Sequence, residues 1–281
     1  MPRSNGKSTG LKGKFRHGVA MSELSTQVAA LLDGAVGRLT VGKEVAVAFS
    51  GGLDSGLVAA LAARHAARVT LYTAGFPASP DVRAARELAP KLGLELQVLP
   101  LTETDLIPLL RDEIAVTGTA SPLVLAFELP LFLVLRECRE RTVIGGQGSD
   151  EIFGGYAKYR KLDNLALRES MAADLERLMA ETRPHEAKVA AHFGRDLGYP
   201  YLDRGLVDLL RQTPAAVLRP PDDDRPKRVL RDVAADLNLS FLDRPKKAAQ
   251  YGSGFMDAVH RICRVRGITY NEFVAELVQH R

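Results

Sequence analysis

The sequence predicts an α/β fold in which a parallel β-sheet with flanking helices is followed by a mostly helical C-terminal part. Over 44–99, apolar β-type runs alternate with helical runs across short loops, which is the order of right-handed βαβ units. The first apolar run ends in a pair of glycines before a helical Ala/Leu run. From about residue 163 the chain is mostly helical and punctuated by prolines.

Hydrophobic spacing and turn residues predict the elements in order. Strands are predicted over 44–49, 68–73, 94–99 and 142–144. Helices are predicted over 22–38, 54–67, 81–92, 106–116, 125–139, 165–181, 186–193, 205–211, 228–235, 256–264 and 270–278. Ligands of parallel sheets bind beyond the carboxyl ends of the strands, so the segments after these ends are the first candidates for a site.

Charge is unevenly distributed along the chain. The formal net charge is +4, but residues 1–20 carry five basic residues and no acidic one, which leaves the rest at −1. Such a body does not have the composition of a nucleic-acid binder. We expect a basic disordered tail over 1–20 and one domain over 21–281. A tail that contacts RNA or a partner, or a translation start mis-assigned upstream of Met21, is the alternative.

The cysteines and the hydropathy of the chain indicate in which cellular compartment the protein is expected. Cys138 and Cys263 are far apart and form no CxxC pair, which argues against a zinc site or a disulfide framework. No apolar run has the length of a membrane span, and no signal-peptide pattern is present. We therefore expect a cytoplasmic protein with no membrane association.

The segment S-G-G-L-D-S (50–55) has the pattern of an anion-binding turn between a strand and a helix. Gly51 and Gly52 can adopt positive φ and let a ligand approach the backbone, while N–H groups at the helix N-terminus attract an anion. Asp54 would repel a phosphate unless a cation lies between them, which suggests Mg²⁺. The alternative is an ordinary serine-capped helix.

A second segment, G-G-Q-G-S-D-E-I-F-G-G-Y (145–156), follows the strand predicted at 142–144. It is too rich in glycine for us to predict a regular element. If this strand neighbours the first one, Asp150 and Asp54 can share one Mg²⁺. The alternative is a glycine-rich surface turn with a solvated acidic pair, Asp150 and Glu151.

The first of these segments resembles the pyrophosphate loop (PP-loop) of the N-type ATP-pyrophosphatases, and differs from a Walker loop because no Gly-Lys-Ser/Thr follows it. The resemblance implies the Rossmann-like core of the adenine nucleotide alpha hydrolases. Both segments together are similar to the synthetase domain of asparagine synthetases, with their SGGxDS and G-E-G-S-D-E-[IVL]-F-G-G-Y blocks. Weaker similarity, spanning about 22–255, includes 75–81, 120–122, 199–203 (V-P-F-L-D) and 244–246 (R-x-K).

The resemblance implies roles for the matching residues. It implies that the pyrophosphate part of ATP is bound at Ser50, Gly51, Gly52, Asp54 and Ser55. It implies that adenosine is bordered by Thr73, Ala74 and Gly75, and that Gly146 lies near the α-phosphate. Mg²⁺ binding is implied for Asp54 and Asp150. The catalytic residues implied are Lys246, Gln147 and Glu151, with Lys246 stabilising charge as the α–β phosphate bond breaks. Neither Lys227 nor Arg228 is given a role.

The sequence also departs from the family pattern. Gln147 stands where asparagine synthetases have a glutamate, so no base is present there. Pro2 stands where their glutaminase domain has a nucleophilic cysteine, so ammonia, a separate glutaminase subunit or another amine is expected to supply nitrogen. Arg195–Gly198 replaces the usual V-E-[AG]-R.

The function implied is that of an AMP-forming carbon–nitrogen ligase of asparagine and amino-acid biosynthesis. With ATP and Mg²⁺ it would adenylate a small-molecule carboxylate, foremost aspartate, and pass the acyl group to ammonia or another amine. The alternatives are a PP-loop tRNA-modifying enzyme, disfavoured by the lack of paired cysteines, and a non-catalytic nucleotide-binding subunit. The oligomeric state is left open, including a homo-oligomer.

Overall fold

The computed structural model describes residues 11–219, 225–243 and 252–279, with the side chains of its first helix described from Glu23 on. The N-terminal half alternates helices and strands: α1 Leu11–Thr40, β1 Glu44–Ala48, α2 Leu53–His65, β2 Arg68–Gly75, α3 Pro80–Leu92, β3 Glu95–Pro100, α4 Glu103–Thr117, α5 Pro122–Glu137, β4 Thr142–Ile144. The other half is mostly helical, as predicted: α6 Ser149–Phe153, α7 Asn164–Arg177, α8 Arg183–His192, β5 Asp196–Gly198, α9 Arg204–Gln212, α10 Ala215–Leu218, α11 Arg228–Asp236, α12 Phe255–Arg266, α13 Tyr270–Gln279.

Five parallel strands form one sheet in the order β3-β2-β1-β4-β5. Val45 of β1 lies opposite Val69 of β2 on one side and opposite Thr142 of β4 on the other. The chain first builds the sheet outward from β1 to β3 and then continues on the other side with β4 and β5. This reversal of direction marks the usual ligand-binding edge of such sheets, and the two glycine-rich segments begin there.

Apolar side chains cover both faces of the sheet. Val45 and Val47 pack into one core with residues of α1, α2 and α11, whereas Ala46 between them belongs to the second core, with residues of α4, α5 and α12. Successive strand residues point to opposite faces, and a parallel sheet is normally covered on both. The polar residues of the site are therefore at the carboxyl edge of the sheet.

Two elements differ from the predictions in the second half of the sheet. Residues 149–153 form the helix α6, so the prediction that 145–156 contain no regular element is wrong. Gly148 (φ 92°) precedes α6 and Gly154 (φ 68°) follows it, both in left-handed conformations. These glycines therefore mark the two ends of the helix rather than disrupt it. The edge strand β5 was not predicted, because its three residues are too few to show a period of two.

The first helix is longer than predicted. It begins at Leu11 and not at residue 22, so residues 11–20 are helical, in contrast to the disordered tail expected over 1–20. Residues 1–10 lie outside the described part of the chain.

Within the described ranges no single helix has both the length and the apolar character of a membrane span; α4 and α5 meet that test only when joined across a 100° bend. Cys138 and Cys263 are both buried and free, as expected without a CxxC pair.

Candidate functional site

The first glycine loop, residues 49–52, joins β1 to α2. Gly51 has a φ of 67°, and a Cβ on it would lie 2.7 Å from the backbone of Ala84. Gly52 has a φ of −98° and precedes α2 as its N-cap, so only one of the two glycines uses positive φ. Because Gly52 has no side-chain acceptor, the N–H groups at the start of α2 are available to an anion. The hydroxyls of Ser50 and Ser55 lie 3.4 Å apart beside them.

The second glycine loop, residues 145–148, follows β4 and contacts the first turn of α2. A Cβ on Gly146 would lie 2.9 Å from Cβ of Asp54 and 3.0 Å from the backbone nitrogen of Ser55. A Cβ on Gly145 would meet nothing closer than 3.8 Å. The condition set by the sequence is therefore met: β1 and β4 are neighbours, and the segments that follow them touch.

Lys227, to which we assigned no role from the sequence, lies between the two segments. Its Nζ is 2.8 Å from Oδ2 of Asp54, 2.6 Å from Oδ1 of Asp150 and 3.0 Å from the hydroxyl of Ser149. The side chains of Lys227 and Asp54 are 8% and 4% exposed, and that of Asp150 is 32% exposed. We refer to Asp54, Asp150 and Lys227 as the ion cluster.

The backbone around the ion cluster is adapted to the lysine. Lys227 itself has a φ of 57° at the start of α11, a conformation that is uncommon outside glycine and that recurs at functional sites. A Cβ on Gly155 would lie 2.2 Å from Cε of Lys227 and 1.9 Å from Oδ1 of Asp150. Only glycine therefore leaves room there for the lysine to contact Asp150.

Electrostatics keep Lys227 charged. Burial lowers the pKa of the ammonium, but the carboxylates of Asp54 and Asp150 outweigh burial and raise it overall. One ammonium thus faces two carboxylates. Beside them, burial raises the pKa of Glu151, whose Oε1 accepts a hydrogen bond of 2.6 Å from the hydroxyl of Tyr156.

Asp54 and Asp150 fit a shared divalent cation, because a single ammonium already contacts both. Among the described residues, no three His, Cys, Asp or Glu side chains are arranged to hold a metal ion. The protein would therefore supply two carboxylates, and substrate oxygens and water the rest, which is the usual way of binding Mg²⁺. An ion bound there would take over oxygens that Lys227 now contacts.

The end of β2 lies at the same edge but is tightly packed. Thr73 and Ala74 are buried, and the hydroxyl of Thr73 donates to the backbone of the first glycine loop. The N–H of Phe76 donates to the carbonyl of Ser253 at 2.9 Å, and a Cβ on Gly75 would lie 2.9 Å from that same oxygen. That these residues border an adenosine stays a prediction.

Of the remaining predicted residues, some lie near the ion cluster and one lies outside the described part of the chain. Gln147 is half-buried in the second glycine loop, and Glu151 follows Asp150 on α6. Lys246 lies outside the described residues. Tyr201, from the V-P-F-L-D-like segment, is completely buried, and its hydroxyl donates to the backbone carbonyl of Asp54 at 3.0 Å. This buried hydrogen bond supports the first turn of α2.

The sequence signals did not identify Lys227. It follows Pro226 in a charged stretch, and it lies 173 residues from Asp54, with no spacing that links the two. The one local signal is that a lysine directly precedes a segment with the apolar spacing of a helix, and that pattern is common on protein surfaces.

Replacement of Lys227 by methionine should destabilise the fold by about 3–5 kcal/mol, because it leaves Asp54 buried without its cation. Mg²⁺ should recover a substantial part of this loss and should stabilise the variant more than the wild type. Urea unfolding with EDTA or with Mg²⁺ measures both effects. The neighbouring Arg228→Met is the control, since Arg228 pairs with Asp232 at the surface. Equal stabilisation of wild type and Lys227→Met by Mg²⁺ would contradict a shared cation site.

Gly146→Ala should destabilise the protein by roughly 1–3 kcal/mol, because the new methyl group is forced against the backbone of α2. Gly145→Ala is the matched control one residue away, where a Cβ has room, and should change the unfolding free energy by less than about 1 kcal/mol. Denaturant unfolding of both variants tests the contact between the two segments. Similar losses in both would show that the segments are not in contact.

The chain is similar to a protein family and to several individual proteins. The asparagine synthase family matches residues 27–166 and 162–278. A putative glutamine-hydrolysing asparagine synthetase 1 of Methanocaldococcus jannaschii is 26% identical over 272 residues, which cover 82% of this chain and 50% of that protein. A probable asparagine synthetase of Acanthamoeba polyphaga mimivirus is 29% identical over 253 residues (86% and 45%).

The asparagine synthetase of Asparagus officinalis is 30% identical over 231 residues, which cover 75% of this chain and 39% of that protein. This chain thus spans about half the length, or less, of the relatives it matches. The family match covers both glycine-rich segments, the ion cluster and most of the helical half. The chain belongs to the asparagine synthase family.

Proposed function

We propose that this protein is an ATP-dependent, AMP-forming ligase that activates a carboxylate as its acyl-adenylate and transfers the acyl group to ammonia or another amine. Aspartate is the leading carboxylate, which would place the reaction in asparagine biosynthesis. The observation that carries the proposal is the ion cluster, held between a glycine-lined helix N-terminus and a second glycine segment. This arrangement suits a polyphosphate with a divalent cation.

The first glycine loop supports nucleotide binding. The N–H groups at the start of α2, with the hydroxyls of Ser50 and Ser55, offer donors to the pyrophosphate part of ATP. Gly51 and Gly146 let Ala84 and the first turn of α2 pack closely against the two glycine loops. The end of β2, with Thr73, is where the adenosine would lie.

In the first step, an oxygen of the substrate carboxylate attacks the α-phosphorus of ATP, and pyrophosphate leaves. Catalysis of this kind is mostly positioning and charge neutralisation. Lys227 is suited to neutralise pyrophosphate oxygens, and Lys246 is the second candidate cation. Mg²⁺ on Asp54 and Asp150 would supply further charge compensation. We propose no covalent role for any side chain.

In the second step, the nitrogen attacks the acyl carbon and AMP leaves. The amide of Gln147 cannot act as a base, but the carboxyl of Glu151 follows four residues later in the same segment. The relatives are named as glutamine-hydrolysing enzymes, which supports ammonia as the nitrogen donor. We propose a separate glutaminase subunit as its source, and a cytoplasmic location for the complex.

The products should be AMP and pyrophosphate in equal amounts, with one amide formed per ATP. The reason is that a helix N-terminus and an ion cluster bind the β- and γ-phosphates as the leaving group. Anion-exchange chromatography of a reaction with ATP, Mg²⁺, aspartate and ammonium measures this. Asp54→Asn and Asp150→Asn should both lose turnover. Stoichiometric ADP would contradict the proposal.

Gln147→Glu should increase amide formation from free ammonium while leaving adenylation unchanged. A glutamate accepts a proton from ammonium, which glutamine cannot do, whereas the first step uses a carboxylate that is already ionised. Pyrophosphate exchange reports the first step and amide yield the second. Efficient use of ammonium by the wild type, with no change in Gln147→Glu, would show that glutamine here is a neutral replacement.

A further inference from the structure

A turn between β5 and α9 contacts both helices that carry the aspartates of the ion cluster. This turn, Pro200–Leu202, is a single turn of 3₁₀ helix, and Tyr201 within it is completely buried. The hydroxyl of Tyr201 donates a hydrogen bond of 3.0 Å to the backbone carbonyl of Asp54 on α2. Its ring packs edge to face against Phe153 on α6, with 6.1 Å between the ring centroids. One side chain therefore contacts α2 and α6 together.

The residue after Tyr201 adds a contact at the start of α6. A Cβ on Gly148, which precedes α6, would lie 2.5 Å from Cδ2 of Leu202 and 3.6 Å from Cβ of Tyr201. The absence of a side chain on Gly148 therefore lets the turn pack directly against the N-terminal end of α6, two residues before Asp150. The contacts of the turn thus join the first turn of α2 to the first turn of α6.

The turn is itself held in place by two further helices. Asp203, which follows it, accepts hydrogen bonds from the backbone N–H groups of Gly205 at 3.0 Å and Leu206 at 3.4 Å, at the start of α9. The carboxylate of Asp203 also pairs with Arg38 on α1. The ring of Pro200 fixes the backbone angle φ within the turn. A turn anchored in this way is a rigid support for the side chains that reach α2 and α6.

The hydroxyl of Tyr201 is a departure from the family pattern. The V-P-F-L-D block has phenylalanine at this position, whereas this chain has Y-P-Y-L-D over 199–203. A phenylalanine would keep the ring contact with Phe153 but could not donate to the carbonyl of Asp54. Because a buried tyrosine hydroxyl is costly without a partner, the hydrogen bond to Asp54 accounts for a tyrosine here.

Lys227 and Tyr201 both join α2 to α6, but a bound cation would affect them differently. Lys227 contacts the carboxylates of Asp54 and Asp150 themselves, and a cation held by both carboxylates would take over those oxygens. Tyr201 contacts a backbone carbonyl and a ring, and the proposed cation site uses neither of them. Its contacts therefore persist when those of Lys227 are replaced, and they then restrain the distance between the two carboxylates.

The distance between two carboxylates influences which cation they hold. Mg²⁺ requires nearly octahedral geometry with oxygens at about 2.0–2.1 Å, whereas Ca²⁺ tolerates irregular geometry with oxygens at about 2.3–2.6 Å. A rigidly spaced pair can therefore favour the smaller ion, whereas a pair that shifts easily accepts both ions more equally.

We propose that Tyr201 is a positioning residue that restrains the separation of Asp54 and Asp150 through its hydroxyl and ring, and thereby makes the site selective for Mg²⁺ over Ca²⁺. Tyr201 contacts neither the cation nor the substrate in this role, and acts through the helices that carry the two aspartates. The inference rests on the proposed function, because it requires a cation that both aspartates share beside a bound nucleotide.

The test is Tyr201→Phe, which removes the hydroxyl and keeps the ring. Isothermal titration calorimetry measures the Kd of α,β-methylene ATP, whose α–β bond is not cleaved, in excess Mg²⁺ and in excess Ca²⁺. The wild type should bind this analogue more tightly with Mg²⁺. In the variant, the Kd with Mg²⁺ should rise by about two- to tenfold, the factor that one hydrogen bond contributes to an equilibrium constant, and the Kd with Ca²⁺ should change by less than about 1.5-fold.

The matched control is Tyr199→Phe, which removes a hydroxyl only two residues away that donates to Glu186 on α8. This control should leave the ratio of the two Kd values unchanged. Thermal melting of both variants checks the fold, and phenylalanine in the family pattern at position 201 is a reason to expect that Tyr201→Phe folds. A purely structural role for the Tyr201 hydroxyl would lower the melting temperature without changing the ratio.

An unchanged ratio of the two Kd values in Tyr201→Phe, or the same change of ratio in Tyr199→Phe, would overturn the positioning role. Equal binding of the analogue by the wild type with Mg²⁺ and with Ca²⁺ would overturn it as well, while leaving the proposed function in place. No binding of the analogue by the wild type with either ion would contradict the proposed function, and the inference with it.

Discussion

The contact of one buried lysine with two aspartates is the interaction on which the rest of the site depends. A carboxylate with almost no exposure, such as Asp54, is costly to bury unless a cation accompanies it. Lys227 provides that cation and also contacts Asp150. These three residues lie at the N-terminal ends of α2, α6 and α11, so the same charges join the sheet to the helical half. The charge that a polyphosphate and its cation would meet is therefore also part of what holds the fold together.

The surroundings of the ion cluster fix its geometry. The hydroxyl of Tyr201 donates a hydrogen bond to the backbone carbonyl of Asp54. Glycines at 146 and 155 let neighbouring segments approach more closely than any side chain would allow. Rigid support of this kind keeps reactive groups in a productive arrangement.

Much of this architecture is predictable from local sequence signals. The strand, turn and helix around Gly51 are encoded within a dozen residues. That β4 lies beside β1 was only a condition of the sequence analysis, and the structure meets it. The helix α6 was missed because glycine density suggests irregular structure, whereas Gly148 and Gly154 end a helix in left-handed conformations. Lys227 was missed for a different reason. Its partners lie far away in sequence, and its position depends on how α11 folds back onto the sheet.

Crystallography with a non-hydrolysable ATP analogue and Mn²⁺ tests the central claim most directly, because anomalous scattering locates the metal independently of the protein. We expect an anomalous peak within coordination distance of both Asp54 and Asp150, with the phosphates at the N-terminus of α2 and Nζ of Lys227 on phosphate oxygens. Bound nucleotide with the metal elsewhere, and Lys227 still between the two aspartates, would contradict it.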